Sequence, residues 1–381
     1  MRLKRVTTAA LAIVLCTLFS SVTLGQQATA PTTSSKLLQL KIQAPSLKGN
    51  LLGDPTEQPI YVYLPLGYEG STKRYPTLYL LHGFTSNSSV WINGQYQGMK
   101  LQTLMDDSIK NGKVREMVVV AANGSNAYKG SFYTNSAASG NWEDFIVRDL
   151  VNYVDTNYRT IPRAESRGIA GHSMGGYGSM MLGMKHPEIF SAVYALSPCC
   201  LAMEADMSEA NSAWSGVLKL TSKDQLNAQP RNFAQFYYSA FIALSAAFSP
   251  NPNRAPFFVD FPFESKSGIC NPPAESKLLT NTPCVQRNEE VYAKWRSKFP
   301  VYTAEANKEN LKKLRGIFLD YGEKEEFEHI RVGVKLLSNI FSELNIPHQF
   351  EVYADGDHGS LIRHRMETRL LPFFNEKLLF Q

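Results

Sequence analysis

The sequence has few cysteines and no basic run beyond its first residues. Five cysteines occur in 381 residues, and none has a histidine at a spacing typical of a zinc site. The net charge of +5 mostly reflects Arg2, Lys4 and Arg5, because 36 basic and 34 acidic residues remain without them. A chain with so balanced a charge lacks the basic surface on which nucleic-acid binding depends. We therefore expect no nucleic-acid partner, no bound metal and no cofactor.

Long apolar runs are also missing, except for one near the N-terminus. Ala9 to Phe19 is almost wholly apolar, follows a basic start and precedes a small-x-small cleavage pattern at Thr23 to Gly25. The run is too short for a membrane span, so the sequence predicts a signal peptide over residues 1–25 and a polar, disordered linker over residues 26–35. We expect a secreted or periplasmic protein with no stable membrane insertion after cleavage. An uncleaved anchor is the alternative.

Four cysteines lie outside the predicted signal peptide, namely Cys199, Cys200, Cys270 and Cys284. An oxidising compartment would permit disulfides among them. A bond between Cys270 and Cys284 would close a short loop and stabilise it by about 3 kcal/mol in the chain-entropy model. Free, buried thiols are the alternative, because the sequence does not fix the pairing.

The most informative segment is Gly171-His172-Ser173-Met174-Gly175, which fits the pattern Gly-x-Ser-x-Gly. A short apolar segment before it predicts a strand, and the segment after it predicts a helix. A serine on such a sharp strand-to-helix turn is the nucleophile elbow of α/β-hydrolases, which raises the hydroxyl above the sheet. The flanking glycines let neighbouring backbone pass closely. The pattern therefore predicts that Ser173 is a nucleophile.

From Thr77 onward, predicted strands alternate with predicted helices, which indicates an α/β fold with a mostly parallel central sheet flanked by helices. The predicted strands are Leu38–Ile42, Ile60–Leu64, Thr77–Leu81, Met117–Ala121, Gly168–Ala170, Ala192–Leu196, Ile317–Leu319 and Gln349–Tyr353. The predicted helices are Leu101–Asn111, Trp142–Tyr158, Gly175–His186, Phe327–Leu344 and Leu361–Lys377. The early strands lack intervening helices, so we expect an antiparallel start to the sheet.

About a hundred residues separate two of these strands, which is too long for an ordinary loop. We expect residues 201–304, called the insert below, to form a cap or lid on a catalytic domain made of residues 36–200 and 305–381. Four apolar side chains of the insert recur at helical spacing: Tyr237, Phe241, Leu244 and Phe248. They predict a helix whose stripe packs the insert onto the domain beneath, and the alternative is that part of it lines an acyl or aryl pocket. Four further aromatic residues of the insert fit either a ligand contact or the core: Trp214, Phe257, Phe258 and Trp295.

A serine nucleophile needs a base and an acid that orients the base, and α/β-hydrolases carry them in the order Ser, acid, His. His358 lies on a glycine-flanked loop after the last predicted strand and is the predicted base. The loop after the preceding strand offers two acids, Asp320 at the strand end and Glu325 further along. Ligands bind at this carboxyl edge of a parallel sheet. Three other histidines, at 329, 348 and 364, are expected to be solvated.

An oxyanion hole requires two backbone N–H donors beside the serine. His82-Gly83-Phe84 follows the predicted strand Thr77–Leu81, where such a loop supplies one donor. The residue after the nucleophile supplies the other. The sequence therefore predicts the N–H groups of Phe84 and Met174 as the two donors, and a simple tight turn is the alternative interpretation of His-Gly.

Together these motifs resemble the esterase D-like "putative esterase" family of α/β-hydrolases, which includes S-formylglutathione hydrolases, feruloyl and acetylxylan-type esterases, enterochelin-type esterases and mycolyltransferases. The segments that carry the resemblance are Tyr75–Phe84, Ala122–Gly124, Asn141–Phe145, Tyr153–Asp155, Arg167–Gly178, Asp320–Phe327 and Asp355–His358. The resemblance implies Ser173 as nucleophile, His358 as base, and Phe84 and Met174 as oxyanion donors. It places the acid third after Gly322, at Glu325, where the family usually has aspartate.

The resemblance also implies an activity. We expect a serine carboxylic-ester hydrolase acting on a small-molecule or carbohydrate ester, with an acyl group of feruloyl or acetyl type. The alternatives are an acyltransferase that uses the same site with a sugar hydroxyl as acceptor, a peptidase of similar fold, and a catalytically inactive binding module.

Overall fold

A computed structural model of the chain describes residues 34–229, 232–266 and 284–381. The predicted signal peptide, most of the predicted linker and Cys270 lie outside the described residues. Ser35, the last linker residue, is buried, and its hydroxyl donates to Asp106 at 2.7 Å. None of the described helices is both long and apolar enough to cross a bilayer.

Eight strands form one sheet in the order β1-β2-β4-β3-β7-β8-β11-β12. The twelve strands of the described residues are β1 (Lys36–Gln43), β2 (Glu57–Leu64), β3 (Thr77–Leu81), β4 (Val118–Ala122), β5 (Asn135–Ser136), β6 (Gly140–Asn141), β7 (Arg167–His172), β8 (Ala192–Leu196), β9 (Phe263–Ser265), β10 (Val285–Arg287), β11 (Gly316–Gly322) and β12 (Gln349–Tyr353). β2 pairs antiparallel with β1 and β4, and the remaining pairs are parallel. This sheet confirms the predicted fold class and its antiparallel start.

Helices cover both faces of the sheet. They are α1 (Leu101–Lys110), α2 (Trp142–Asp144), α3 (Val151–Asn157), α4 (Met174–Lys185), α5 (Ala213–Val217), α6 (Lys223–Asn227), α7 (Phe233–Phe248), α8 (Glu289–Arg296), α9 (Pro300–Thr303), α10 (Lys308–Leu311), α11 (Glu328–Glu343), α12 (Ile362–Arg365) and α13 (Leu371–Lys377). Two π-helical stretches, Phe145–Leu150 and Met366–Leu370, join α2 to α3 and α12 to α13. Side chains of α1 and α13 pack on one face, and those of α3, α4 and α11 pack on the other.

The central strands are buried along their whole length, as parallel strands covered by helices must be. Every residue of β3, β4, β7 and β8 is buried, and β4 and β8 appear in the sequence as short unbroken apolar runs. The limits predicted for β3, β8 and β12 agree with the structure.

The insert has its own aromatic core, which is continuous with the apolar layer of the sheet. The ring of Trp214 stacks on Phe241 of α7 with centroids 3.6 Å apart, and it meets Trp295 edge-on. Trp214 and Trp295 are fully buried, which favours their core interpretation over a ligand contact. Cys284, also in the insert, is disulfide-bonded.

Candidate active site

The predicted site residues all lie in loops at the carboxyl edge of the sheet. Phe84 follows β3, Ser173 follows β7, Glu325 follows β11, and His358 follows β12. These segments are far apart in sequence, and the parallel order of β3, β7, β8, β11 and β12 brings their ends together. The fold therefore gathers the residues that the motifs single out.

Ser173 occupies the strained turn that its pattern predicts. Its backbone has φ 58° and ψ −116°, a combination that side-chain-bearing residues rarely adopt and that costs roughly 1–3 kcal/mol. A Cβ at Gly171 would lie 2.3 Å from the carbonyl carbon of Gly175, and a Cβ at Gly175 would lie 2.2 Å from the carbonyl oxygen of Leu81. Glycine is thus required at both flanking positions, since β7, α4 and β3 approach each other too closely for a side chain.

His358 and Glu325 form a close pair. Nδ1 of His358 lies 2.9 Å from Oε2 of Glu325, whose side chain is completely shielded from solvent. The other carboxylate oxygen of Glu325 accepts the N–H of Phe327 at 3.2 Å, and the His358 N–H donates to Glu326 at 3.0 Å. The imidazole is held edge-on to the Phe327 ring, with centroids 4.8 Å apart. Backbone, carboxylate and ring contacts together fix the orientation of His358.

Ser173 and His358 line the same cavity. Within the described residues, no hydrogen bond joins their side chains. Catalytic hydrogen bonds are often longer without substrate and tighten when it binds. Ser173 is only 9% exposed, because the insert covers the turn that carries it. Access to its hydroxyl is therefore through the cavity, and the catalytic roles of both residues stay predictions.

Asp320, the alternative acid, has different partners. Its carboxylate forms a buried ion pair with the Arg365 guanidinium, with Nε at 3.1 Å, and accepts the hydroxyl of Tyr194 at 2.8 Å and the N–H of Ser197 at 3.2 Å. These bonds join β11 to β8 and α12. Asp320 thus connects elements of the fold, while Glu325 is the acid in contact with His358.

His172 contacts the backbone of the predicted base, His358. Burial, with the nearby charges of His358 and Arg365, lowers its pKa well below the usual range, so the ring is neutral and carries one N–H. Its Nε2–H donates to the backbone carbonyl of His358 at 2.8 Å, which leaves Nδ1 to accept the hydroxyl of Tyr96 at 3.1 Å; this tautomer is assigned from the partners.

His82 fixes the predicted oxyanion loop. Burial lowers its pKa to about 4, so it is neutral. Its Nε2 accepts the N–H of Gly124 at 2.8 Å, and its Nδ1–H therefore donates to the carbonyl of Gly83 at 2.8 Å. A Cβ at Gly83 would lie 3.4 Å from Cβ of Ser173, so the loop passes directly beside the serine.

The two predicted oxyanion donors are the backbone N–H groups of Phe84 and Met174. Neither the Phe84 N–H nor the Met174 N–H has a hydrogen-bond acceptor within the part of the chain that the structure describes. Met174 begins α4, where the first N–H groups have no partner inside the helix. Two free donors on either side of Ser173 match the requirement for binding a developing oxyanion.

A small cavity of about 40 Å³, partly open to solvent, extends from Ser173 into the insert. Its lining comprises Phe84, Phe132, Ser173, Cys199, Cys200, Met207, Phe236, Tyr237, Ala240, Leu244, Phe327, His329, Ile330 and His358. Most of this wall is apolar, and Tyr237 and Leu244 of the predicted stripe belong to it. The stripe therefore both packs the insert onto the domain beneath, through Phe248 on Phe132 and Tyr177, and lines a pocket, while Phe241 stacks on Trp214 inside the insert.

Four polar or thiol-bearing residues of this region were not predicted to belong to it. Cys199 and Cys200 are free and buried in the wall, and His329 lies in the wall with Asp206 behind it. The expectation that His329 is solvated is wrong, because it is 5% exposed. It comes at the first turn of α11, which the insert covers. Across the described segments, no group of three or more potential metal ligands occurs.

Comparisons with known proteins identify the family of this chain. The family model described as "Putative esterase" matches residues 55–364. An endo-1,4-beta-xylanase/feruloyl esterase of Xylanibacter ruminicola is 36% identical over 135 residues, which are 34% of this chain and 18% of that protein. An esterase of Mycobacterium tuberculosis is 29% identical over 137 residues, 35% of this chain and 27% of that protein. The matched segments thus span about a quarter or less of these curated relatives.

Solved structures share the fold. A ferulic acid esterase superposes with a TM-score of 0.57 at 20% identity, covering 91% of this chain and all of that one. An S-formylglutathione hydrolase from Staphylococcus aureus gives 0.52 at 15% identity, covering 90% and 98%. At these identities the likeness shows the fold alone.

Proposed function

We propose, on the premise that this chain belongs to the "Putative esterase" family of α/β-hydrolases, that it is a serine carboxylic-ester hydrolase. The observation that carries the proposal is the 2.9 Å contact between Glu325 and His358 on the wall of a cavity that Ser173 also lines. A nucleophile, a base and an acid in this arrangement are what acyl transfer through a covalent intermediate requires. The resemblance predicted from the sequence is confirmed by the family match.

The proposed reaction has two halves. Oγ of Ser173 attacks the ester carbonyl while Nε2 of His358 takes its proton, and the N–H groups of Phe84 and Met174 bind the oxyanion. The alcohol leaves with the proton from His358, and an acyl-enzyme remains. His358 then removes a proton from water, the hydroxide attacks the acyl carbon, and Ser173 regains its proton as the acid departs. Glu325 holds the imidazole in the tautomer with its free nitrogen towards the serine.

The proposed substrate is an acyl ester of a sugar or small metabolite, with an acyl group of feruloyl or acetyl type. The aromatic and aliphatic lining of the cavity supports an apolar acyl group, since burying apolar surface is the main driving force for binding there. The apolar leader over residues 1–25, which lies outside the described residues, supports a secreted or periplasmic location. N-terminal sequencing of the exported protein tests that location.

Replacement of the nucleophile tests the reaction. Ser173→Ala is expected to abolish hydrolysis of p-nitrophenyl acetate and labelling by a fluorophosphonate probe, with an unchanged circular dichroism spectrum. Ser179→Ala, in the same helix but outside the cavity wall, is the matched control and should keep both. Turnover by Ser173→Ala at the wild-type rate would refute the proposal, and a wild type that neither turns over nor labels would identify an inactive binding module.

Acyl transfer to an alcohol shares every step up to the acyl-enzyme. Adding sugar alcohols to the assay separates the two outcomes, because a transferase would form new esters at the expense of the free acid. We expect the free acid as the main product.

A further inference from the structure

Asp206 and His329 form a buried pair beside the cavity, and His329 belongs to the cavity wall. Oδ1 of Asp206, in the short 3-10 helix Ala205–Met207, accepts the backbone N–H of His329 at 2.6 Å and lies 2.9 Å from Nδ1 of its ring. The other carboxylate oxygen accepts the hydroxyl of Tyr237. Asp206 thus accepts from three donors, which is a role for an ionised carboxylate.

The pairing makes His329 a cation. Burial by itself lowers the pKa of the ring, but the charge and hydrogen bond of Asp206 outweigh burial and raise the pKa of His329 to about 10. Both ring nitrogens therefore carry hydrogen at neutral pH. Nδ1–H donates to Asp206, and Nε2–H can donate to a second acceptor.

No acceptor takes this second N–H. Nε2 of His329 is buried and has no hydrogen-bond partner among the residues that the structure describes. One candidate is the Cys199 thiol, whose pKa is lowered to about 6, against burial, by its contacts with the Cys200 thiol and the His329 ring and by the charge of His329. The distance and angle between this sulfur and Nε2 nevertheless do not meet those of a hydrogen bond. Buried, charged donors without a partner are rare in proteins and require an explanation.

The surroundings point to a ligand as the missing partner. His329 belongs to the wall of the cavity that begins at Ser173, and its neighbours in that wall are mostly apolar, such as Phe236, Leu244 and Phe327. We propose that His329 determines acyl specificity by donating its Nε2–H to an acceptor oxygen carried on the acyl group. The acyl group would combine an apolar body with a hydroxyl, ether or carboxylate oxygen. This inference rests on the proposed esterase function and adds a residue to its substrate recognition.

Matched substrates test the proposal directly. We would measure kcat/KM for p-nitrophenyl esters of alkanoic and 3-phenylpropanoic acids of increasing length, each paired so that one member ends in methoxyl and the other in a hydrocarbon group of equal length. Methoxyl accepts a hydrogen bond but cannot donate one, so it probes a donor such as His329. At the best length, the wild-type preference for the methoxyl ester should fall by roughly ten- to a hundredfold in His329→Leu.

Three further variants make the result specific. His329→Gln keeps an N–H donor and should retain part of the preference. His348→Gln changes a histidine outside the cavity, whose Nε2 pairs with Ser338, and should leave the preference unchanged. If Cys199→Ala removes the preference while His329→Leu keeps it, the thiol and not the imidazole recognises the acyl oxygen, and the proposal is wrong.

If His329→Leu does not fold, the paired-ester series measured on the wild type still tests the proposed role of His329. Hydrolysis without any preference for an oxygen-bearing acyl group, at every length, overturns the role of His329 and leaves the esterase function standing. Absence of hydrolysis together with absence of fluorophosphonate labelling instead overturns the esterase function itself.

Discussion

Asp320 lies in β11 and Glu325 lies five residues later in the loop that follows it, and the two acids have different partners. Glu325 contacts the imidazole of His358, while Asp320 is buried against the guanidinium of Arg365. The sequence left both open as the acid, because each follows a predicted strand at the correct edge. The path of the loop beyond Gly322 decides which of the two acids contacts His358, and the sequence does not reveal that path.

Substitutions at the two acids should have different effects. Glu325→Ala is expected to lower kcat/KM by roughly 10²–10⁴-fold with little change in melting temperature, because it removes the group that orients His358. Asp320→Ala is expected to lower the free energy of unfolding by about 3–5 kcal/mol, because it leaves Arg365 buried without a counter-charge. Steady-state kinetics and urea unfolding measure both. An inactive but stable Asp320→Ala beside a fully active Glu325→Ala would reverse the assignment.

The Asp206–His329 pair should make stability depend on pH. The folded-state pKa of His329, about 10, lies above its ordinary value of 6.5, so the pair stabilises the fold fully below pH 6.5 and loses this contribution as the pH rises towards 10. The difference in unfolding free energy between the wild type and His329→Gln should therefore shrink over this range, by an amount of the order of a few kcal/mol.

Urea unfolding at several pH values measures this difference. Both proteins should carry Cys199→Ala, since the thiol faces the same ring and titrates in the same range. Asp206, which pairs with the ring, is common to both proteins. A difference that stays constant from pH 6.5 to pH 10 would mean that His329 is not held as a cation.

His358 and His329 also show what a sequence reveals about single residues. His358 could be predicted because its loop follows a strand and is flanked by Gly356 and Gly359, so local pattern and topology agree. His329 has no such pattern, since its importance comes from Asp206, 123 residues away in the insert. Contacts of this kind depend on how the insert packs.

The turn between β7 and α4 is the element on which the site depends. Gly175 is the second residue of α4, and alanine normally stabilises a helix by about 1 kcal/mol relative to glycine. Here a Cβ would lie 2.2 Å from the Leu81 carbonyl oxygen, and the obstacle is backbone that cannot rotate away. The steric cost therefore outweighs the gain in helix propensity.

Gly175→Ala is accordingly expected to lower the melting temperature by several degrees and to reduce esterase activity sharply, because β3 and its oxyanion loop must shift. Gly359→Ala is the control, since a Cβ there meets no atom within 4 Å. Calorimetry and p-nitrophenyl acetate turnover compare the two. Equal behaviour of both variants would show that the elbow tolerates a side chain.

Elements of the sheet could be predicted from the sequence, and those of the insert largely could not. β3 and β8 are buried runs with clear limits, and α11 has an apolar face, so local pattern determines them. In the insert, α7 is the helix whose apolar stripe predicted it from the sequence. α5 and α6 are five residues each, too short for a periodic signal, and they are stabilised mainly by tertiary contacts.

At the scale of the whole molecule, the apolar layer runs without interruption from the sheet into the insert. Trp214 belongs to this layer although it lies in the predicted cap. We expect the two parts to unfold together, because cooperative units share a continuous core. The predicted boundaries of the insert, at residues 201 and 304, remain a prediction about chain organisation.

Trp214→Ala tests this expectation. The change should reduce the free energy of unfolding by about 3–5 kcal/mol, through loss of its stack on Phe241, and move one single transition to lower temperature. Differential scanning calorimetry with equal calorimetric and van't Hoff enthalpies would confirm one unit. A separate early transition affecting the insert alone would show that it unfolds independently of the sheet.

The cavity is built by two parts of the chain that contribute different things. The predicted reacting groups lie on loops of the sheet, whereas α7 contributes wall residues, namely Phe236, Tyr237, Ala240 and Leu244. A mutant library confined to these wall positions should therefore change which acids are accepted and leave the rate of bond cleavage on a small acetyl ester nearly constant. Selection for new acyl preferences in this chain can begin on a single helical face.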